Sequence, residues 1–215
     1  MTLPHQGRML LLLAAASSLP SLAQDKFDVG VLGLFGTYRS ANVTSGPTTG
    51  SVGFTPGPGA GAFFGQDMHE HVGGEIRYLF SRNNQKLSSG GTSTEFASRS
   101  HIVNYDLLIY LSGRDARVRP YVAGGGGLKV YQGTGVEQAF QPLSNLALLT
   151  RTREALPTVD FGGGVKVGLS RGATLRVEFR DYITKVPKIF EPSPGAKISG
   201  LLHHWLPAVG VSWRF

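Results

Sequence analysis

Cysteine is absent from all 215 residues, which excludes a disulfide framework in an exported chain. Charged residues are scarce, at 16%, and after Met9–Ala16 no apolar run reaches the ~18 residues of a membrane-spanning helix. Glycine (30 residues) and proline (12) are too frequent for a helical protein. No segment combines helical spacing with caps, apart from a short stretch around Val136–Thr150. Packing and a hydrogen-bonded ladder of strands must therefore hold the chain.

What is present begins with an export signal. Arg8 supplies a positive n-region, Met9–Ala16 an apolar core, and Ser21-Leu22-Ala23 small residues at the two positions a signal peptidase reads. An N-terminal anchor helix is the alternative, but the apolar run falls short of the ~20 residues a span needs. Residues 1–23 are expected as a signal peptide and residues 24–215 as one domain. The formal charge of +7 and the pI near 9.9 raise nucleic acid as a partner. Export argues against it, as does the scattering of single Lys and Arg residues. A basic surface beside anionic lipid head groups is expected instead.

Eight segments alternate apolar and polar residues: Phe27–Arg39, Gly57–Gln66, Val72–Arg82, Phe96–Leu111, Arg119–Gln132, Pro157–Ser170, Ala173–Lys185 and His203–Phe215. Each is long enough to cross a bilayer as a tilted strand, which needs ~9–11 residues. Ordinary strands average ~5–6. The connections alternate strictly. Ser40–Pro56, Asn83–Glu95, Gly133–Leu156 and Val186–Leu202 are long, whereas Asp67–His71, Ser112–Val118 and Ser170–Gly172 are short. Short turns at one end and long loops at the other are the habit of transmembrane barrels. The expected fold is all-β, an eight-stranded antiparallel up-and-down transmembrane β-barrel. Strand one must pair with strand eight, because backbone inside hydrocarbon needs a partner.

Alternation alone does not say which face points inward. The polar face carries opposed charges at mid-strand, namely Glu75, Arg77, Asp106, Lys129, Lys166, Arg176, Glu178 and Arg180. Gly125, Gly127, Gly162, Gly164 and Gly168 sit beside them. The interior of an eight-stranded barrel is only just filled by side chains, so glycine leaves room for a long one to cross. On a watery outer face such glycines would merely weaken the strand. The opposite face is aliphatic, as at Val177 and Val211, with aromatics near strand ends. The charges are therefore expected in the lumen and the aliphatics against lipid. Three acids against five bases leave an excess that calls for lumenal water or further acids, with Asp28 and Asp160 as candidates.

The final strand, Val209–Phe215, alternates apolar residues and closes on aromatics. With Pro120–Gly126 and Leu175–Tyr182, it resembles the small OmpA/OmpX-type outer-membrane barrels, and the resemblance covers essentially the whole mature chain. Gly210, Trp213 and Phe215 are similar to that class's C-terminal assembly signal. Ala208 departs from it, a polar residue being usual there. The resemblance implies a monomer in the cell outer membrane, surrounded by outer-membrane lipid and lipopolysaccharide and inserted by the barrel-assembly machinery. It implies no substrate and no cofactor.

Other constellations carry less. His69-Glu70-His71 places two imidazoles on one face and the carboxylate on the other, in a short turn, without the i, i+4 spacing of a zinc helix. His203-His204 should send one ring to the membrane interface and one inward. Gly124–Gly127 lacks the Lys-Ser/Thr of a phosphate loop. Ser100 and His101 are adjacent and so face opposite ways, and no histidine from His69 onward has a serine two residues on, as lipid A deacylases do. No catalytic, metal or cofactor residue is expected. The expected role is structural or surface-interactive, with a narrow or plugged polar lumen. The alternatives are passage of small solutes or anions, a lipid-A-modifying enzyme, and a secreted lipocalin-like binder.

Overall fold

A computed structural model describes residues 26–170 and 172–215; the expected signal peptide lies outside the described residues. Fifteen strands, numbered in chain order, are present among them, and no helix. Eight are long: β1 (Phe27–Arg39), β4 (Gly57–Asp67), β5 (Val72–Arg82), β8 (Ser98–Tyr110), β9 (Val118–Gly133), β11 (Arg153–Gly168), β12 (Ala173–Lys185) and β15 (Leu201–Arg214). They form a closed barrel in the order β1-β15-β12-β11-β9-β8-β5-β4, with every neighbour antiparallel.

The eight-stranded expectation holds, and the bounds of β1, β5 and β12 coincide with the alternating segments. Closure is direct: Val31 on β1 faces Val211 on β15 and Ala62 on β4. Two backbone bonds between Phe27 and Phe215, of 2.9 and 3.1 Å, tie the ends of these strands together. The short connections are tight. In one of them Gly172 has φ +81°, a left-handed conformation that favours glycine.

The apolar face points outward. Val177, Phe179, Val209 and Trp213 are exposed, while Arg176, Glu178 and Ser212 are buried inside. Phe27, Phe64, Trp213 and Phe215 gather near the short-turn end, and Tyr78, Phe80 and Trp205 toward the other. These are the two aromatic girdles of a membrane barrel. One ladder has a gap. Leu34 pairs with Ala208 and Thr37 with Trp205, but Phe35 and Gly36 find no partners on β15. Pro207, which would face Phe35, has no N–H to donate.

The long connections are themselves structured. They contain the seven shorter strands: β2 (Ala41–Ser45), β3 (Thr48–Phe54), β6 (Gln85–Ser89), β7 (Thr92–Phe96), β10 (Ala147–Leu149), β13 (Phe190–Pro192) and β14 (Ala196–Ser199). Five of them pair as β14-β2-β3-β6-β7, and β10 pairs with β13. Beneath lies a second core, in which Val43, Val52, Leu87, Leu146 and Ile189 are fully buried. The stretch Val136–Thr150 is not helical; it consists of turns and β10. Leu146 and Leu149 turn into this core instead of lining one helical stripe.

A closed ladder resists detergent in the cold. The folded protein is expected to migrate differently on gels before and after boiling. Identical mobility would contradict closure.

Candidate functional site

The lumen is where the chain concentrates its chemistry. Inward residues repeat every second position, so each strand contributes a short column. On β5 the column reads Glu75, Arg77, Leu79, Ser81 from the short-turn end outward. On β8 it reads Asp106, Asn104, Ile102, Ser100. On β12 it reads Arg176, Glu178, Arg180, Tyr182, Thr184. Charged layers therefore lie below an apolar layer, and hydroxyls lie above it.

β5 and β12 occupy opposite sides of the ring, so their charges meet across the lumen. Arg77 donates to Glu75 Oε1 at 2.6 Å, to Glu178 Oε2 at 3.1 Å and to the Tyr182 hydroxyl at 3.1 Å. Arg176 donates to Glu75 Oε2 at 2.5 Å, to Glu178 Oε2 at 3.0 Å and to the Tyr121 hydroxyl at 2.7 Å. Arg180 reaches Asp160 at 3.0 Å and Asp106 at 3.5 Å. Asn104 donates to both of those aspartates. Arg77, Arg176 and Arg180 have no appreciable solvent exposure. Such pairing is what permits burial, since an unpaired charge in a dry interior is strongly destabilising.

Glycine makes the space. A Cβ at Gly162 would sit 2.8 Å from Arg180 Cδ, and one at Gly125 would strike the Asp106 carboxylate.

The eight charges singled out by alternation divide into three places. Glu75, Arg77, Asp106, Arg176, Glu178 and Arg180 form the central network. Lys166 lies nearer the short-turn end, donating to Asp28 at 2.8 Å and to the Tyr110 hydroxyl at 2.9 Å. Lys129 stands apart, above the apolar layer. Its Nζ is 2.6 Å from His204 Nδ1 and over the rings of Tyr38 and Tyr131, with no carboxylate within ion-pair distance among the described residues.

Alternation alone had not singled out Asp67 and Arg119, which pair at 2.8 Å beside the short turns, or the tyrosines Tyr110, Tyr121 and Tyr182. Strand parity was the available signal for Arg119 and the tyrosines, each of which shares a face with a charge already named on its strand. Asp67 had none, because it fell in a short connection. Asp28, Asp67 and Asp160 raise the acids to six. Adding Arg119 gives six bases, so the lumen-facing charges balance, Asp181 being buried on the outward face.

Phe63 packs against Arg176 at the level of the network, and Leu32, Leu34, Leu79, Ile102 and Leu206 continue the same apolar cluster as a plug above it. The second core closes the barrel above that. The charged groups of the central network engage one another, but Asn104 Oδ1 has no hydrogen-bond partner among the described residues. Ser100 is buried in the lumen, whereas His101 faces outward and shares a 2.7 Å bond with the Tyr78 hydroxyl. His71 contacts the Tyr110 carbonyl at 3.0 Å. His204 points inward, and His203 outward toward Asp181 at 2.8 Å. Asp181 is the one outward acid of β12. It lies opposite Trp205 at girdle level, not in the aliphatic centre.

The outer membrane protein beta-barrel domain family matches residues 9–215. The chain belongs to that family. Among solved structures it is similar to Neisserial surface protein A, at 10% identity and a TM-score of 0.55, over 88% of this chain and 97% of that one. It is also similar to the outer membrane protein OprG from Pseudomonas aeruginosa, at 11% identity and a TM-score of 0.56, over 88% and 96%. At such identities the likeness is one of fold. Among curated proteins none matches the sequence.

Proposed function

We propose that this outer-membrane barrel is a sealed structural and surface-contact protein, neither a pore nor an enzyme. It is exported by residues 1–23 and inserted by the assembly machinery through Gly210, Trp213 and Phe215. It works as a monomer embedded in outer-membrane lipid and lipopolysaccharide.

The observation that carries this reading is the triple closure of the lumen. A charge-balanced ionic network, an apolar plug and a folded cap lie in series along one axis. The cap's core gives the outer face a fixed shape, which suits contact with a partner better than a mobile loop does.

Planar-bilayer recording tests the seal. The expected result is an absence of channel events at any voltage the bilayer tolerates. Regular conductance steps would contradict it. The non-catalytic part is tested by mass spectrometry of lipid A from cells with and without the protein, where identical profiles are expected.

A second reading, lateral entry of an apolar solute, draws on the gap beside Pro207. A shallow cavity of about 390 Å³ opens there, lined by Phe35, Val177, Pro207 and Val209. Leu34 and Leu206 fill the lumen behind it, which favours the sealed reading.

A further inference from the structure

The outward face of the barrel carries bases at its long-connection end. The last outward residue is Arg39 on β1, Arg82 on β5, Arg99 on β8, Arg153 on β11 and Lys185 on β12, and all five are exposed. Three of them form a contiguous row. Arg82 lies directly opposite Arg99, Arg99 opposite Gln132 on β9, and Gln132 opposite Arg153. Arg99 Nε donates to Gln132 Oε1 at 3.1 Å, which fixes one guanidinium in the row.

No acid neutralises this row. Among the described residues none of the three arginines is in an ion pair. The nearby carboxylates are engaged elsewhere: Glu95 with Lys86 and Asn84, Glu137 with the Arg151 backbone, and Glu154 with the Lys188 backbone. Like charges placed directly opposite destabilise a strand pair. Arg82 and Arg99 are such a pair, and Arg153 extends the row beyond Gln132, so three bases without a paired acid call for an external anion.

The wall beneath says what that anion is attached to. One register step toward the lipid lie Phe80, His101, Val130 and Ala155. A step further lie Tyr78, Val103, Leu128 and Pro157. Tyr78, Val103 and Leu128 are about half exposed on this lipid-facing surface. A free polysaccharide or a soluble anion would use the arginines and leave the wall unused. An amphiphile with phosphate on its head group and several acyl chains uses both. Guanidinium forks match phosphate bidentately.

We propose that Arg82, Arg99 and Arg153 form a site for the phosphorylated glycolipid of the outer leaflet. Its phosphates lie on the arginine row and its acyl chains on the Tyr78–Val103–Leu128 wall. This rests on the membrane placement given above.

The test uses the purified folded barrel in detergent, checked by its unboiled gel mobility. Native mass spectrometry measures retention of bisphosphorylated lipid A, dephosphorylated lipid A and phosphatidylglycerol. The expected result is at least tenfold tighter retention of bisphosphorylated lipid A than of the other two, undiminished by inorganic phosphate. The R82Q/R99Q/R153Q variant is expected to lose that preference, and K185Q, elsewhere on the rim, to keep it. Equal retention of the dephosphorylated lipid or of phosphatidylglycerol would overturn the site, as would displacement by inorganic phosphate. So would a triple variant that binds like the parent or a K185Q protein that binds like the triple variant. The sealed-barrel reading fails separately, by conductance, without altering these ratios.

Discussion

Replacing Arg176 with methionine is expected to lower stability by about 3–5 kcal/mol, the usual loss when one partner of a buried ion pair is removed. The guanidinium is fully buried and bonds both Glu75 and Glu178, each of which is also buried. Methionine fills part of the volume over Phe63, which Arg176 now covers at 4.5 Å, so the loss reflects charge more than packing. It leaves two buried carboxylates short of a partner. Removing one of them as well, in R176M/E178Q, should cost less than the sum of the single changes, because the groups share partners. Urea unfolding of the detergent-refolded barrel measures both. Strict additivity would mean that the network is not one unit.

Charge on the outer wall is the mirror case. Val209 lies midway between Trp205 and Trp213 on the outward face of β15, and is exposed. An arginine there would sit near the bilayer midplane, where the loss is ~2–4 kcal/mol. The same change at Leu201, at the outer end of β15, falls near the interface and should have an effect of ~0–1 kcal/mol. The contrast between the two positions is the informative quantity, measured by unfolding in lipid vesicles. Equal effects at both would mean that no hydrocarbon layer bounds this wall.

Strand parity made the barrel legible, and it did so because long strands repeat the signal many times. In β12, six consecutive residues set Leu175, Val177 and Phe179 against Arg176, Glu178 and Arg180. One misplaced residue could not reverse that pattern. The cap was not legible for the opposite reason. β2, β3 and β14 are 4–7 residues long and rich in Ser, Thr and Gly. Two buried side chains, such as Ala41 and Val43, are too few to distinguish a strand from a loop. Their partners are also distant, as where Ala196 pairs with Ser45.

The lumenal charges were legible as a set but not as pairs. That Glu75 meets Arg176 follows from the ring order, which places β5 opposite β12. The excess of bases over acids disappeared once Asp28, Asp67 and Asp160 were found on the inner face with Arg119. Lys129 remains the exception. Parity placed it correctly inside, but its neighbours are His204, Tyr38 and Tyr131, and no sequence pattern marks a lysine that has rings and an imidazole for company.

A chain without cysteine allows the sidedness of the barrel to be read one residue at a time. Single cysteines at Val177 and Val209 on one face, and at Thr174 and Ser212 on the other, would each carry a nitroxide label in lipid vesicles. Labels at Val177 and Val209 are predicted to be relaxed strongly by oxygen, which dissolves in lipid, and hardly at all by a water-soluble nickel chelate. Labels at Thr174 and Ser212 should show no such preference for oxygen. Strong relaxation of the Val177 and Val209 labels by the chelate would contradict the account, because those side chains would then face water.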